Sequence, residues 1–335
     1  MAQGLAAGAG RKRRGGFARA SGKRSGRAHG SPGGAPDKLT RARTSSVSLS
    51  EFAPAKINLT LAVGPLQSDG YHPLDSLVAF ADWGDEIRVR PAPALALTMG
   101  GPYARQLEHQ KGNLVFQAAR AMQIAADEQL GAMIHLDKRI PVAAGVGGGS
   151  ADAAATLRAL NRLWGFNWTL ETLCEIGLTL GADVPACLHS ATLRMQGRGE
   201  RITPLEGGEA WPALLVNPGV PVSTAAVFRC FDGQAGAELD PRDPPADANA
   251  WIRGGENALE DAARALAPEI DEVLDALSSA PGCWLERMSG SGATCFGLFD
   301  TITQAESAGA ALAAAKPDWF VQPVTLGAGA PGEKA

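Results

Sequence analysis

The chain has 335 residues, 45% hydrophobic and 20% charged, a composition ordinary for a globular protein with a sizeable core. The net charge of −4 joins two unlike parts: residues 1–50 carry eleven Lys/Arg against one acid, Asp37, whereas the remaining 285 residues carry 20 basic and 34 acidic groups. A membrane span is excluded, because no run approaches ~18 consecutive apolar residues; five scattered cysteines without C-x-x-C and five histidines without H-E-x-x-H leave no expected disulfide framework or protein-only metal site.

The head, residues 1–50, is rich in Gly, Ala, Arg and Ser and poor in large apolar side chains. It cannot bury enough surface to offset ordering entropy and is expected to be disordered. Three readings stay open for it: a solvated tail, an organelle transit segment (Arg- and Ser-rich, acid-poor), or a basic arm touching nucleic acid or an anionic surface through Arg11-Lys12-Arg13-Arg14. No apolar segment of secretory-signal type is present.

From Phe52 the chain becomes organised. Residues 54–63 alternate as a strand, with Lys56, Asn58 and Thr60 on one face and Ile57, Leu59, Leu61 and Val63 on the other. Gln67-Ser-Asp-Gly70 reads as a turn, followed by Tyr71 and His72; residues 77–80 and 86–89 read as two further strands. Asn113 is placed to cap a helix running to about Ala126, and 132–136 is a strand. A glycine-rich loop follows, with Ser150 as expected cap of a helix over 152–164, then a helix over 170–180 stopped by Gly181. Gly207-Gly208 and a strand at 213–216 open a second region. It continues with a loop at 232–247, helices at 257–266 and 269–277, strands at 284–288 and 294–299, a helix at 303–315 and a strand at 319–324. Interleaved strands and helices of this kind predict an α+β protein with two lobes.

Four segments carry candidate chemistry. Within Pro54-Ala-Lys56-Ile-Asn58, a lysine on an otherwise buried strand either pairs with a partner or sits on an exposed edge. Gly145, Gly147, Gly148 and Gly149 run straight into a helix, whose free N–H groups and positive dipole end suit a phosphate. That loop lacks the Gly-Lys-Ser/Thr of a P-loop and the third glycine of a dinucleotide fingerprint; a ligand-free glycine turn is the plainer alternative. In Gly181-Ala-Asp183-Val-Pro185 the carboxylate is either a helix cap or a proton acceptor in phosphoryl transfer. Ser289-Gly-Ser-Gly-Ala293 is either a tight hairpin or a second backbone segment approaching a ligand between lobes.

In this order, these segments resemble the GHMP kinase superfamily over residues 51–326, through Pro54–Asn58, 141–151 and 289–293. The resemblance implies an N-terminal lobe like domain 2 of ribosomal protein S5 and a ferredoxin-like C-terminal lobe. The implied division is 1–50 disordered basic extension, 51–206 ATP-binding lobe, 207–326 C-terminal lobe and 327–335 flexible tail. Gly70-Tyr71-His72, Gly181–Pro185, and Pro218-Gly219 with Thr224 and Phe228 narrow it to members that phosphorylate a cytidine-diphosphate-linked methylerythritol at its 2-hydroxyl.

Carried over by position, Asp183 is the implied base and Lys56 its alkoxide-favouring partner. Pro141, Val142, Ala143, Ala144, Gly145, Val146, Gly147, Gly148, Gly149, Ser150 and Ala151 are the implied ATP-binding residues. Asn58, Tyr71, His72, Thr224, Phe228, Gly290 and Gly292 are the implied substrate contacts; Tyr71 and Phe228 sandwich the cytosine, and His72 and Thr224 read its edge. From the residues alone, Tyr71 and Phe228 read more readily as core. ATP and Mg²⁺ are the expected cofactors. No protein metal site is assigned, because Ala151 stands where a second serine is common and leaves Ser150 as the sole candidate. A cytoplasmic monomer or homodimer acting on a small molecule is expected, with neither membrane nor nucleic-acid partner. Two rivals remain: a GHMP kinase for homoserine or a mevalonate-type substrate, and a non-catalytic nucleotide sensor whose basic head binds nucleic acid.

Overall fold

The computed structural model describes residues 48–107, 112–205, 207, 209–231, 239 and 247–328, which belong to one compact unit spanning Ser46–Ala335. The expected disordered head (to residue 47), the loop over 232–247 (all but 239 and 247) and most of the C-terminal tail lie outside the described residues.

The first lobe is built around one long strand. β1 (Leu49–Asn58) and β2 (Ala62–Val63) pair antiparallel with β3 (Leu74–Pro91). β4 (Ala96–Gly100), the short α1 (Ala104–Leu107) and α2 (Leu114–Ala126) follow, and β5 (Ala132–Asp137) pairs with both β3 and β4. Then come α3 (Gly148–Trp164), α4 (Leu170–Leu178), α5 (Val184–His189) and the hairpin β6 (Leu193–Gly197) with β7 (Arg201–Pro204). β6 returns to pair with β3.

The second lobe opens with β8 (Trp211–Asn217), α6 (Thr224–Phe231) and α7 (Ala248–Gly254). It continues with α8 (Glu260–Leu266), α9 (Glu269–Ser278), β9 (Cys283–Met288), β10 (Cys295–Phe299), α10 (Ile302–Ala315) and β11 (Phe320–Leu326). Its strands run antiparallel in the order β11-β8-β10-β9, and β11 meets β3 only at Leu326 opposite Ala81. The expected α+β architecture is what the chain adopts.

Three apolar clusters hold these layers. One lies between the first sheet and α2–α5, around Met122, Leu157 and Leu160; another lies under α6, α8, α9 and α10, around Ile270, Val273 and Leu277. The third joins the lobes, packing Ile57, Leu59 and Leu77 of the first against Leu215, Phe296 and Leu298 of the second. Full burial of such a side chain stabilises by about 1.5–3 kcal/mol, so the lobes share a core and are not merely tethered.

Local details depart from the sequence reading in instructive ways. The expected 77–80 and 86–89 strands are one continuous β3, because Gly84 admits the backbone of β1: a Cβ there would lie 2.2 Å from the Ala53 carbonyl. β1 begins at Leu49, inside the segment assigned to the head, and ends at Asn58 instead of running to Val63; Leu61 then bridges to Asn257. The expected α2 cap is present, with the Asn113 side chain accepting from Val115 N at 2.9 Å.

A buried charge cluster sets the path out of β5. Lys138 Nζ donates to Asp85 on β3 and, at 2.9 Å, to Asp152 on α3, while Asp85 also accepts from the backbone N–H groups of Arg139 and Ile140. Burial raises the Asp152 carboxyl well above its ordinary range, with Asp85 adding to the effect and Lys138 opposing it. For Lys138 burial acts to lower proton affinity, but the two carboxylates prevail and raise it. Asp85→Ala removes one of the two partners of a buried ammonium and leaves two N–H groups without their acceptor, and is expected to cost about 3–5 kcal/mol, read from urea unfolding. Asp152→Asn, which retains an acceptor for Lys138, is expected to cost clearly less.

Candidate active site

The polar face of β1 forms the floor. A register shift between Pro54 and Lys56 bends the strand, and Lys56 N donates to Val146 O at 2.9 Å, fastening strand to glycine loop. The Lys56 side chain is 4% exposed, lies beneath Gly147, and places Nζ 2.8 Å from Asp183 Oδ1. The open alternative of an edge lysine is thereby closed: the ammonium is buried and paired. Asp183 stands at the N-cap position of α5 but makes no side-chain cap hydrogen bond, and its side chain is 38% exposed. The carboxylate is therefore turned to Lys56 and to the cavities instead of to its own helix.

The glycine loop differs from expectation at the start of α3. The helix begins four residues before the expected 152, with Gly147 as cap in the left-handed region (φ 64°) and Ser150 within the first turn. A glycine cap has no side chain to consume the first N–H groups, and the first main-chain bond observed is Ala151 N to Gly147 O. The N–H groups of the first turn thus have no intrahelical partner, which makes an anion-binding end.

Behind the loop stands the 289–294 segment. Thr294 donates from both N and Oγ1 to Ala144 O, and a Cβ on Gly145 (φ 76°) would fall 2.2 Å from Gly292 O. Glycine at 145 is therefore required by a close backbone approach as well as by φ.

Two cavities open on either side of the Lys56–Asp183 pair. One, of about 470 Å³, is lined by Pro141, Val142, Ala143, Ala144, Gly145, Gly147, Gly148, Gly149 and Ser150, with Asn113, Lys138 and Asp152. The other, of about 670 Å³, is lined by Tyr71, His72, Phe228, Arg198 and Arg229 among others. Both include Lys56, Asn58, Ser150, Asp183 and Thr224, so the two spaces meet at the ion pair.

Most of the expected site residues converge here. His72 is buried, its Nδ1 donating to Gly64 O at 2.7 Å, and its ring lies 5.5 Å from that of Phe228. Since a carbonyl only accepts, this bond fixes the proton on Nδ1. Tyr71 is 55% exposed, which excludes the core reading for it. Asn58 is oriented by its Nδ2, which donates to Ser76 Oγ at 2.7 Å, and Thr224 Oγ1 is 2.8 Å from Ser291 Oγ.

Four expected residues line neither cavity. Val146 and Ala151 are buried in the apolar clusters at 3% and 1% exposure, and Gly290 and Gly292 pack against the loop while Ser291 reaches the smaller cavity. Ser76, Lys138, Asp152 and Arg198 carry no signal in the local sequence, because each depends on a partner distant along the chain. Cys187, one helical turn after Asp183, has its thiol pushed up to about 12 by burial and then by the Asp183 carboxylate, so it supplies no thiolate. Among the described residues no three His, Cys, Asp or Glu side chains converge as a metal cluster.

Residues 113–191 match the family described as GHMP kinases N terminal domain, and 245–318 that described as GHMP kinases C terminal. The chain is 48% identical over 282 residues to 4-diphosphocytidyl-2-C-methyl-D-erythritol kinase of Dinoroseobacter shibae, covering 82% of this chain and 94% of that protein. It is 47% identical over 280 residues to the enzyme of the same name from Parvibaculum lavamentivorans, covering 82% and 97%. A crystal structure of 4-(cytidine 5'-diphospho)-2C-methyl-D-erythritol kinase superposes with a TM-score of 0.70 at 37% identity, covering 84% of this chain and all of that one.

The loop-against-loop packing makes a direct prediction. Gly145→Ala adds a Cβ into the Gly292 carbonyl at an unfavourable φ, and is expected to destabilise the fold by about 1–3 kcal/mol. It should also weaken binding of an adenosine triphosphate analogue, measured by calorimetry below the midpoint of thermal unfolding.

Proposed function

The chain belongs to the 4-diphosphocytidyl-2-C-methyl-D-erythritol kinases of the GHMP superfamily, and we propose that its own residues carry that reaction at the junction of the two cavities. As a member it uses ATP to phosphorylate the 2-hydroxyl of 4-diphosphocytidyl-2-C-methyl-D-erythritol, yielding the 2-phosphate and ADP, in the non-mevalonate route to isoprenoid precursors. The observation that carries the residue assignment is the Lys56–Asp183 pair lining both a glycine-loop cavity and an aromatic one.

In this reading the smaller cavity receives the triphosphate, with the first-turn N–H groups of α3 directed at its oxygens. The cytosine enters the larger one between Tyr71 and Phe228, with His72 and Thr224 at its polar edge. Stacking holds a base, and edge hydrogen bonds choose which base. The 2-hydroxyl then approaches Asp183, which accepts its proton as the oxygen bonds to the γ-phosphorus and the bond to the β–γ bridging oxygen breaks. Lys56 orients Asp183 and offsets negative charge gathering on the attacking oxygen. Asn58, held by Ser76, faces the substrate phosphates. Gly290 and Gly292 act through the glycine loop they support.

Magnesium would be held chiefly by phosphate oxygens and water, with Ser150 of the smaller cavity as protein contact. When bound, it neutralises charge on the β- and γ-phosphates. All these side chains come from one chain, compatible with a monomer or a homodimer. A cytoplasmic location accords with five free cysteines. No helix among the described residues is long and apolar enough to cross a membrane. We place the lobe boundary near 206–207, between β7 and β8.

Purified protein with Mg-ATP and 4-diphosphocytidyl-2-C-methyl-D-erythritol should form the 2-phosphate, detected by phosphorus NMR. Asp183→Asn should lower kcat by about 10²–10⁴-fold with folding intact. A wild type that binds ATP yet leaves this substrate unchanged while phosphorylating homoserine or mevalonate would reverse the substrate assignment.

A further inference from the structure

The β6–β7 hairpin ends beside the aromatic cavity. Gly197 pairs with Leu74 on β3, three residues after Tyr71, and the tip Gly197-Arg198-Gly199 takes positive φ at both glycines (73° and 113°). This carries Arg198 across to the turn that bears Tyr71. There its guanidinium lies over the Tyr71 ring, 4.2 Å from the centroid, and Nη2 pairs with Asp69 Oδ2. The other oxygen of Asp69 accepts from Tyr71 N at 3.0 Å, and the turn is closed by Gly70 N to Gln67 O and Gln67 N to Tyr71 O. One carboxylate thus fixes the backbone of Tyr71 while gripping the cation that covers its ring.

A half-exposed tyrosine on a surface turn would otherwise sample several rotamers, and ordering it on binding would subtract from affinity. We propose that Arg198, through Asp69, is a positioning residue that holds Tyr71 ready to stack on the cytosine of the substrate. Asp69 is suited to the part: the Tyr71 amide first, and the Arg198 guanidinium next, hold its carboxyl below the usual range, so it remains an anion at neutral pH. The same hairpin touches the catalytic turn, since a Cβ on Gly199 would lie 3.1 Å from the Ala182 carbonyl, next to Asp183. Base recognition and the proton acceptor are therefore referenced to one short hairpin.

The inference rests on Tyr71 being the stacking ring, and the test separates the two. Steady-state kinetics on the full chain compare wild type with Arg198→Ala, Arg198→Lys, Asp69→Asn, the Arg198→Ala/Asp69→Asn double variant, and Tyr71→Ala. In Arg198→Ala, KM for the cytidylyl substrate should rise roughly three- to tenfold, with kcat within about twofold and KM for ATP unchanged. Lysine keeps the charge and loses the planar face, so Arg198→Lys should fall between. The double variant should be no worse than the more damaging single one, because both break one device. An unchanged or lowered substrate KM in Arg198→Ala overturns the proposal, as does a loss confined to kcat, which would move the role of Arg198 to the Asp183 turn. If Tyr71→Ala also leaves substrate KM unchanged, the stacking assignment falls and the positioning role with it. If Tyr71→Ala raises KM and Arg198→Ala does not, only the positioning role falls.

Discussion

One ammonium shared between two carboxylates determines where the glycine loop begins and where its helix ends up. Lys138 sits at the end of β5 and reaches Asp85 on the central strand and Asp152 on α3, and Asp85 also takes the backbone N–H groups of the two residues that follow. Ionic groups buried this deeply are weak sources of net stability, because desolvation consumes most of their attraction. Their effect is directional. A hydrocarbon side chain at Asp85 could pack, but it could not tell residues 139 and 140 which way to turn. With that exit fixed, Ile140 enters the inter-lobe core and the loop is delivered over Lys56.

The second lobe completes what the first begins. The loop's outer backbone would face water were it not for the 289–294 segment, which closes on it without intervening side chains at Gly145 and Gly292. A contact between two bare backbones has little tolerance for displacement in a close-packed interior. The common core of Ile57, Leu215 and Phe296 lies beneath it and resists sliding of one lobe on the other. Precision at the Lys56–Asp183 pair is thus inherited from packing distant from it.

Much of this was legible in the chain itself. Periodicity and punctuation located α2, α4, α9 and α10 closely, since each depends on local capping and one apolar stripe. The glycine loop and Lys56 could be picked out because glycine clusters and buried charges are costly enough to need a reason, whereas Asp183 stood out by its place between Gly181 and Pro185 and by the resemblance. The expected break between the 77–80 and 86–89 strands is not there: Asp82, Gly84 and Asp85 are residue types depleted in strands, and only a neighbouring strand makes them β. Propensity alone favours Ser150 as the cap, whereas the loop places Gly147 in that position. Arg198, Lys138 and Asp152 gave no local signal: their meaning lies in partners that only the register of β3 with β5 and β6 brings near.

The meeting of two cavities at five shared residues has a consequence for ligands. Lys56 and Asp183 line both spaces, so the two adjoin at the ion pair. If, as proposed, cytidine docks in one and adenosine phosphates in the other, a compound that joins the two ends would find its second half confined next to an open site once the first half docked. Its binding would then be governed by effective concentration, set by a linker short enough to run past the ion pair. On that reading, the geometry proposed to bring hydroxyl and phosphate together also makes the enzyme open to inhibition by two weak fragments made into one.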